Sequence, residues 1–174
     1  MRPAPFRLRR SVAAIRIGTS LVTVSSSTVV SGSSVTLRLQ AKDAAVNNLT
    51  SGGEVVVFTH SGGASTGTIS ATADSTTGVY TATFTGVLAG SATTIGATIN
   101  GTPVTTTLPT VAVTPGAVTQ LTITTQPSSS AASGVAFAQQ PILQLRDAAG
   151  NAVSQAGRSV AAAIASGGGT LGGT

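Results

Sequence analysis

Cysteine is absent from this sequence of 174 residues, and so is tryptophan. The first absence excludes a disulfide framework, a thiol nucleophile and a cysteine zinc site. The second matters because aromatic residues total only 3%, which leaves little from which to build a stacking platform for sugars. Charge is scarce too, at 7% of residues. There is one histidine, His60, one lysine, Lys42, and four carboxylates, Asp43, Glu54, Asp74 and Asp147. No apolar run approaches the roughly 18 residues that would span a bilayer as a helix. Helix-favouring Glu, Lys, Leu and Met are few, whereas β-branched Val, Ile and Thr are common and fit a pleated sheet. Hydrophobic residues reach 41%, too many for a disordered chain.

The few charges are unevenly placed. Arg2, Arg7, Arg9, Arg10 and Arg16 lie in the first sixteen residues. Beyond them Arg38, Lys42, Arg146 and Arg158 face four carboxylates, so the body from residue 17 has a formal charge of 4 − 4 = 0. The high pI belongs to the leader, and the body lacks the clustered cations that nucleic acid requires. The leader reads as a frayed basic tail or a start within a longer chain. An export signal is a second reading, weakened by Arg16, which interrupts Ser11-Val12-Ala13-Ala14-Ile15. A surface-binding basic arm is a third.

What the sequence does contain is a repeat. Ala41-Lys42-Asp43-Ala44-Ala45-Val46-Asn47 returns as Leu145-Arg146-Asp147-Ala148-Ala149-Gly150-Asn151, an offset of 147 − 43 = 104. Alternating segments flank both copies. Leu21–Val24 reads as a first strand, and Val35, Leu37, Leu39 and Ala41 alternate with polar neighbours. Further strands are expected over 54–60, 67–71, 79–85, 93–99 and 103–108, with Asn100-Gly101 as a type I′ hairpin turn. That makes about seven strands, the number of an immunoglobulin-like sandwich. The expected core includes Val35, Leu37, Leu39, Val57, Phe84 and Ile99. In the second copy, strands are expected over 121–124, 141–145 and 159–165. Thr174 corresponds to Ser70 (174 − 104 = 70), so the second repeat lacks counterparts of residues 71–108. The expected partition is a basic segment at 1–18, a complete sandwich at 19–113, a linker at 114–118 and an incomplete repeat at 119–174, as in a fragment of a longer array.

Four patterns carry a family resemblance: Ser31-Gly32 before Val35-Thr36-Leu37; Lys42-Asp43 followed by Asn47; Asp74 with Gly78-Val79-Tyr80-Thr81-Ala82-Thr83-Phe84; and Ala89-Gly90-Ser91-Ala92-Thr93. In this order they resemble the bacterial immunoglobulin-like repeats of the invasin and intimin (Big-1) type, which are similar to filamin repeats. The resemblance covers roughly residues 19–174. It implies tandem all-β sandwiches, the second truncated, on a bacterial cell surface or outside the cell. It also implies stacking into rods that present an adhesive domain. Val46 departs from the pattern where the second copy has Gly150.

Chemical alternatives are weak. His60 has no His or Cys partner for a metal, and one histidine among many Ser and Thr does not define a triad. Asp43 and Asp147 recur as if for calcium, but no D-x-D cluster accompanies them, and an Asx turn accounts for them. Lys42, Glu54 and an Asn match the components of an isopeptide bond, yet Arg146 replaces Lys42 in the second copy. Tyr80 and Phe84 are expected in the core. The expected function is a non-catalytic stalk or spacer of an adhesin-like protein, without cofactor, metal or small-molecule substrate. Its partners would be neighbouring repeats, with a host receptor or glycan engaged through other domains. The alternative is a glycan- or surface-binding accessory module of a secreted enzyme or phage particle.

Overall fold

The computed structural model describes residues 17–172. The basic leader through Arg16 lies outside the described residues. A single 3-10 turn, Ile17–Thr19, precedes twelve strands. In chain order these are β1 (Leu21–Val24), β2 (Thr28–Val30), β3 (Ser34–Gln40), β4 (Val56–Ser61), β5 (Thr66–Ile69), β6 (Ala73–Asp74), β7 (Val79–Leu88), β8 (Thr93–Ile99), β9 (Thr102–Pro103), β10 (Thr110–Thr114), β11 (Gln120–Thr125) and β12 (Ile142–Arg146). Among the described residues no helix is long and apolar enough to cross a membrane.

Ten strands form two facing sheets. One runs β1-β3-β7-β5, with β6 also on β7; the other runs β2-β10-β8-β4, with β9 on β8. All pairs are antiparallel except β2 with β10. This is the strand order of an immunoglobulin-like sandwich. The alternation in β3 puts Val35, Leu37 and Leu39 inward, and in β7 it puts Tyr80, Ala82 and Phe84 inward. Within each sheet some inward neighbours pair large with small: Leu37 lies beside Ala82, and on the other sheet Phe58 lies beside Ala97. At Gly86 of β7 the opposite sheet leaves little room for a side chain, since a Cβ there would lie 3.0 Å from the Val29 and Val113 Cγ1 atoms.

The hairpin forms as the sequence predicts: Asn100 and Gly101 have φ of 49° and 80°. The Asn100 side chain closes the turn's far side, accepting the Val55 N–H at 3.0 Å.

Several expectations change. Val57 is not a core residue; it is 50% exposed, and Val56 and Phe58 point inward instead. Glu54-Val55-Val56-Val57-Phe58 is apolar on both faces after the first residue, so alternation could not choose the register. The strand expected over 103–108 is only Thr102–Pro103. Beyond it the chain stays on the core without strand geometry, with Val104 buried and its N–H bonded to Ala97 O, and β10 follows at Thr110–Thr114. β2 was hidden between two Ser-rich turns, yet Val29 is buried.

The second copy builds only the two-stranded sheet β11-β12. The strand expected over 159–165 does not form. Its counterpart in the first copy, β4, is held by pairing with β8 along its whole length. Among the described residues the buried apolar side chains all lie between Val22 and Val113, whereas Leu121, Ile123, Phe137, Ile142 and Leu143 are exposed.

Candidate functional site at the junction of the repeats

The repeated motif is a closed five-residue loop, built the same way twice. In the first copy Asp43 Oδ1 accepts the N–H groups of Ala45 and Asn47, both at 2.9 Å. Asn47 Nδ2 donates back to Asp43 Oδ2 at 3.1 Å. In the second copy Asp147 Oδ1 accepts from Ala149 and Asn151 at 2.9 Å, and Asn151 Nδ2 donates to Asp147 Oδ2 at 2.8 Å. This is an Asx turn extended by two residues, the carboxylate adding to the backbone bonds that also close the loop. The residue before the Asn is left-handed: Val46 at φ 69° and Gly150 at φ 85°. Beneath each loop a glutamine from the preceding strand clamps two carbonyls. Gln144 Nε2 donates to Leu145 O and Val153 O, and Gln40 Nε2 to Ala41 O and Leu49 O and also to Gly78 O.

The two loops differ in what covers them. The second is seated on the end of the first sandwich. Asn151 Oδ1 accepts the Ala89 N–H at 2.8 Å. Asn151 Nδ2 donates to Val87 O at 2.8 Å and to Ser31 Oγ at 3.1 Å. Asp147 Oδ2 accepts the Gly116 N–H from the connecting segment at 2.8 Å. Ser31 follows β2, Val87 and Ala89 lie at the end of β7, and Gly116 follows β10, so three elements converge on one side-chain pair. A cleft of ≈ 340 Å³ beside the seat is lined by Gly32, Gly86, Ala117 and Ala148 among others. Asp147 and Asn151 are buried, although charged and polar groups are rarely buried unless paired.

Electrostatics follow geometry. The Asn151 side-chain amide, then the Gly116, Asn151 and Ala149 N–H groups, lower the Asp147 carboxyl to about 2 against the opposing effect of burial. Asp43 is also lowered, through the side chain and N–H of Asn47 and the N–H of Ala45. Among the described residues it has no linker N–H.

The other candidate residues stay apart from this site. His60 packs edge-on against Phe84, with ring centroids 5.5 Å apart, and lies 3.4 Å from Thr93 Oγ1. Among the described residues no group of three His, Cys, Asp or Glu side chains could hold a metal ion. Glu54 accepts from Asn100 Nδ2, and the Glu54 N–H donates to the Tyr80 hydroxyl at 3.1 Å. Lys42 meets the Asn48 backbone in an isolated bridge. Asp74 binds the Gly53 and Thr76 N–H groups at 2.7 Å, tying down the loop before β4. Tyr80 and Phe84 are core residues. Burial raises the Tyr80 hydroxyl above its ordinary value. The seat itself was invisible in the sequence. Ser31, Val87, Ala89 and Gly116 contribute mostly backbone atoms, which leave no residue signature.

The family model for invasin domain 3 matches residues 16–116. The fold is similar to that of three solved bacterial proteins. For InvD of Yersinia pseudotuberculosis the identity is 20% and the TM-score 0.57, over 80% of this chain and 44% of that one. For the adhesin InvE of the same organism the values are 23% and 0.52, over 65% and 31%. For the adhesin FdeC of Escherichia coli they are 23% and 0.54, over 79% and 43%. The chain thus spans less than half the length of each of these proteins. No match is found among the curated proteins.

Proposed function

The chain belongs to the invasin domain 3 family, and on that premise we propose that it is a non-catalytic spacer of a bacterial adhesin, carried at the cell surface or outside the cell. The division proposed is a complete sandwich at 19–113, a connector at 114–118 and a second repeat from 119. The role is mechanical: each sandwich is a stiff unit, and the junction limits bending between units. Receptor or glycan contact would come through other domains, and neighbouring repeats are the direct partners.

The observation that supports this reading best is the seat of Asn151. A flexible connector needs no buried polar latch between its units. Here one asparagine and one aspartate make four hydrogen bonds across the junction. Each buried bond of this kind contributes about 0.5–1.5 kcal/mol net, and leaving its partners unpaired costs more. The glycan-binding alternative has less behind it, since Tyr80 and Phe84 are enclosed in the core and cannot stack on a sugar.

Limited proteolysis with mass spectrometry, paired with small-angle scattering, tests the proposal. A resistant core near 19–113, first cuts beyond residue 119 and an elongated envelope are expected. Early cleavage inside β3 or β7, or an envelope that bends freely at the connector, would overturn it.

A further inference from the structure

We propose that Asn100 is a self-modification site: the backbone nitrogen of Gly101 displaces its side-chain amide, and water then leaves aspartate or isoaspartate in the turn. The inference is independent of the spacer reading and rests on the hairpin between β8 and β9.

The chemistry starts from the residue that follows each asparagine. Asn47, Asn48, Asn100 and Asn151 precede Asn48, Leu49, Gly101 and Ala152. A backbone nitrogen can attack the side-chain carbon of the residue before it and close a cyclic imide. A Cβ on the attacking residue hinders that approach, and of these four followers only Gly101 carries none. Asn100 and Gly101 are both exposed, and a Cβ built at Gly101 would meet nothing within 4 Å, so water and base reach the nitrogen freely. Among the described residues no acceptor takes the Gly101 N–H, so no bond has to break to release it.

The reaction balances without an oxidant or reductant. Gly101 N gives its proton to solvent base and bonds Asn100 Cγ. The Cγ–Nδ2 bond breaks, and the amide nitrogen takes a proton from water and leaves as ammonia. Water then opens the imide at either carbonyl. Opening at Cγ leaves aspartate. Opening at the Asn100 backbone carbonyl leaves isoaspartate, with the main chain running through Cγ. One water enters and one ammonia leaves.

The fold sets the pace. Asn100 Oδ1 accepts the Val55 N–H at 3.0 Å, the Asn100 N–H donates to Val55 O at 2.8 Å, and Nδ2 donates to the Glu54 carboxylate. Attack swings Cγ against the Gly101 nitrogen, and the two side-chain bonds hold it towards Glu54 and Val55 instead. The native turn therefore reacts through its locally opened form.

Conversion then removes the hold on the lead-in to β4. A type I′ turn closes on two residues at positive φ, whereas isoaspartate lengthens the loop by one main-chain atom and draws Oδ1 into the main chain. Its free carboxylate offers Glu54 no N–H. Aspartate keeps an acceptor for Val55 but turns the Nδ2 donor into an oxygen facing the Glu54 carboxylate, a like-charge pair. β4 is the edge strand of its sheet, so no strand on its other side compensates.

The test follows the 174-residue chain at neutral pH in water enriched in heavy oxygen, folded and in urea. Peptide mass spectrometry with electron-transfer fragmentation locates the label and separates aspartate from isoaspartate. In the folded chain label should enter at Asn100 as both products, with isoaspartate in excess, ahead of Asn47, Asn48 and Asn151; urea should speed it. Glu54→Ala should speed conversion of the folded chain about fivefold, the loss of roughly one hydrogen bond, and leave the rate in urea unmoved. Gly101→Ala, measured in urea where folding plays no part, should all but stop it. In the isoaspartate form the Val55 amide should exchange at least about fivefold faster than in the unconverted chain. An amide kept intact at Asn100 in the folded chain, or aspartate without isoaspartate, overturns the proposal. So does a folded-chain rate unmoved by Glu54→Ala, a rate in urea unmoved by Gly101→Ala, or a Val55 amide indifferent to the conversion.

Discussion

Asn151 accepts the Ala89 N–H at 2.8 Å across 62 positions of sequence, and its own amide donates to Val87 O at the same distance. One planar side chain thus bonds the strand end as a neighbouring strand would, through an acceptor and a donor. Asn151→Ala leaves the Ala89 N–H without its partner, at about 1–3 kcal/mol, while Val87 O keeps the Ser31 hydroxyl at 2.8 Å. The expected outcome is faster exchange at Ala89 and earlier proteolysis of the second repeat. The denaturation midpoint of the sandwich should stay within experimental error, because its core contains no residue of the loop.

Val46 occupies a left-handed conformation that β-branched residues disfavour. Local bonds hold it there: the Val46 N–H donates to Asp43 O at 3.1 Å, and the next N–H goes to Asp43 Oδ1. Val46→Gly relieves the strain and gives back part of it in chain entropy. A net stabilisation of about 0.5–1 kcal/mol is expected, read as a raised urea midpoint.

Inward and outward positions of the sandwich separate cleanly. Phe84 is fully buried, and Phe84→Ala should cost about 3–5 kcal/mol. Val57 of β4 is half exposed, so Val57→Ala should stay within about 0.5 kcal/mol. Equilibrium unfolding in urea measures both. A large loss at Val57 would mean that β4 is shifted by one residue, with Val57 turned inward.

The Asp147 carboxyl is lowered in the native state from the ordinary 3.8 to about 2. The native protein therefore binds that proton less readily than the unfolded chain does. The resulting stabilisation is complete above the ordinary value and is lost as pH falls through it towards about 2. Carboxyl-carbon NMR titration should place Asp147 below Asp43, with Asp43 itself below the ordinary value. The protection of the Gly116 N–H relative to its intrinsic exchange should fall over the same acidic window.

Much of the sandwich was legible because period-two alternation reports a buried face directly. Val35, Leu37, Leu39 and Phe84 were placed in the core by that rule alone, and Ile99 fell where the strand ahead of Asn100-Gly101 put it. The rule failed where alternation stops. In Val55-Val56-Val57-Phe58 both faces are apolar, and the choice is made by pairing with Ala97 and Ile99 of β8. It also failed for β2, whose three residues are too few for a period, and which is held by a parallel pairing with β10 some 84 positions away (113 − 29 = 84).

The loop motif divides the same way. Asp43 and Asn47, like Asp147 and Asn151, lie close enough in the chain for the sequence by itself to determine their turn, since every bonding atom of the ring lies within five residues. Only the tertiary structure decided which loop would be covered. The covering atoms come from Ser31, Val87, Ala89 and Gly116, mostly as backbone carbonyls and N–H groups that every residue carries. Two nearly identical loops thus have different surroundings, one open and one buried, because a seat made of backbone is built by the fold of distant strands and is written in no local residue pattern.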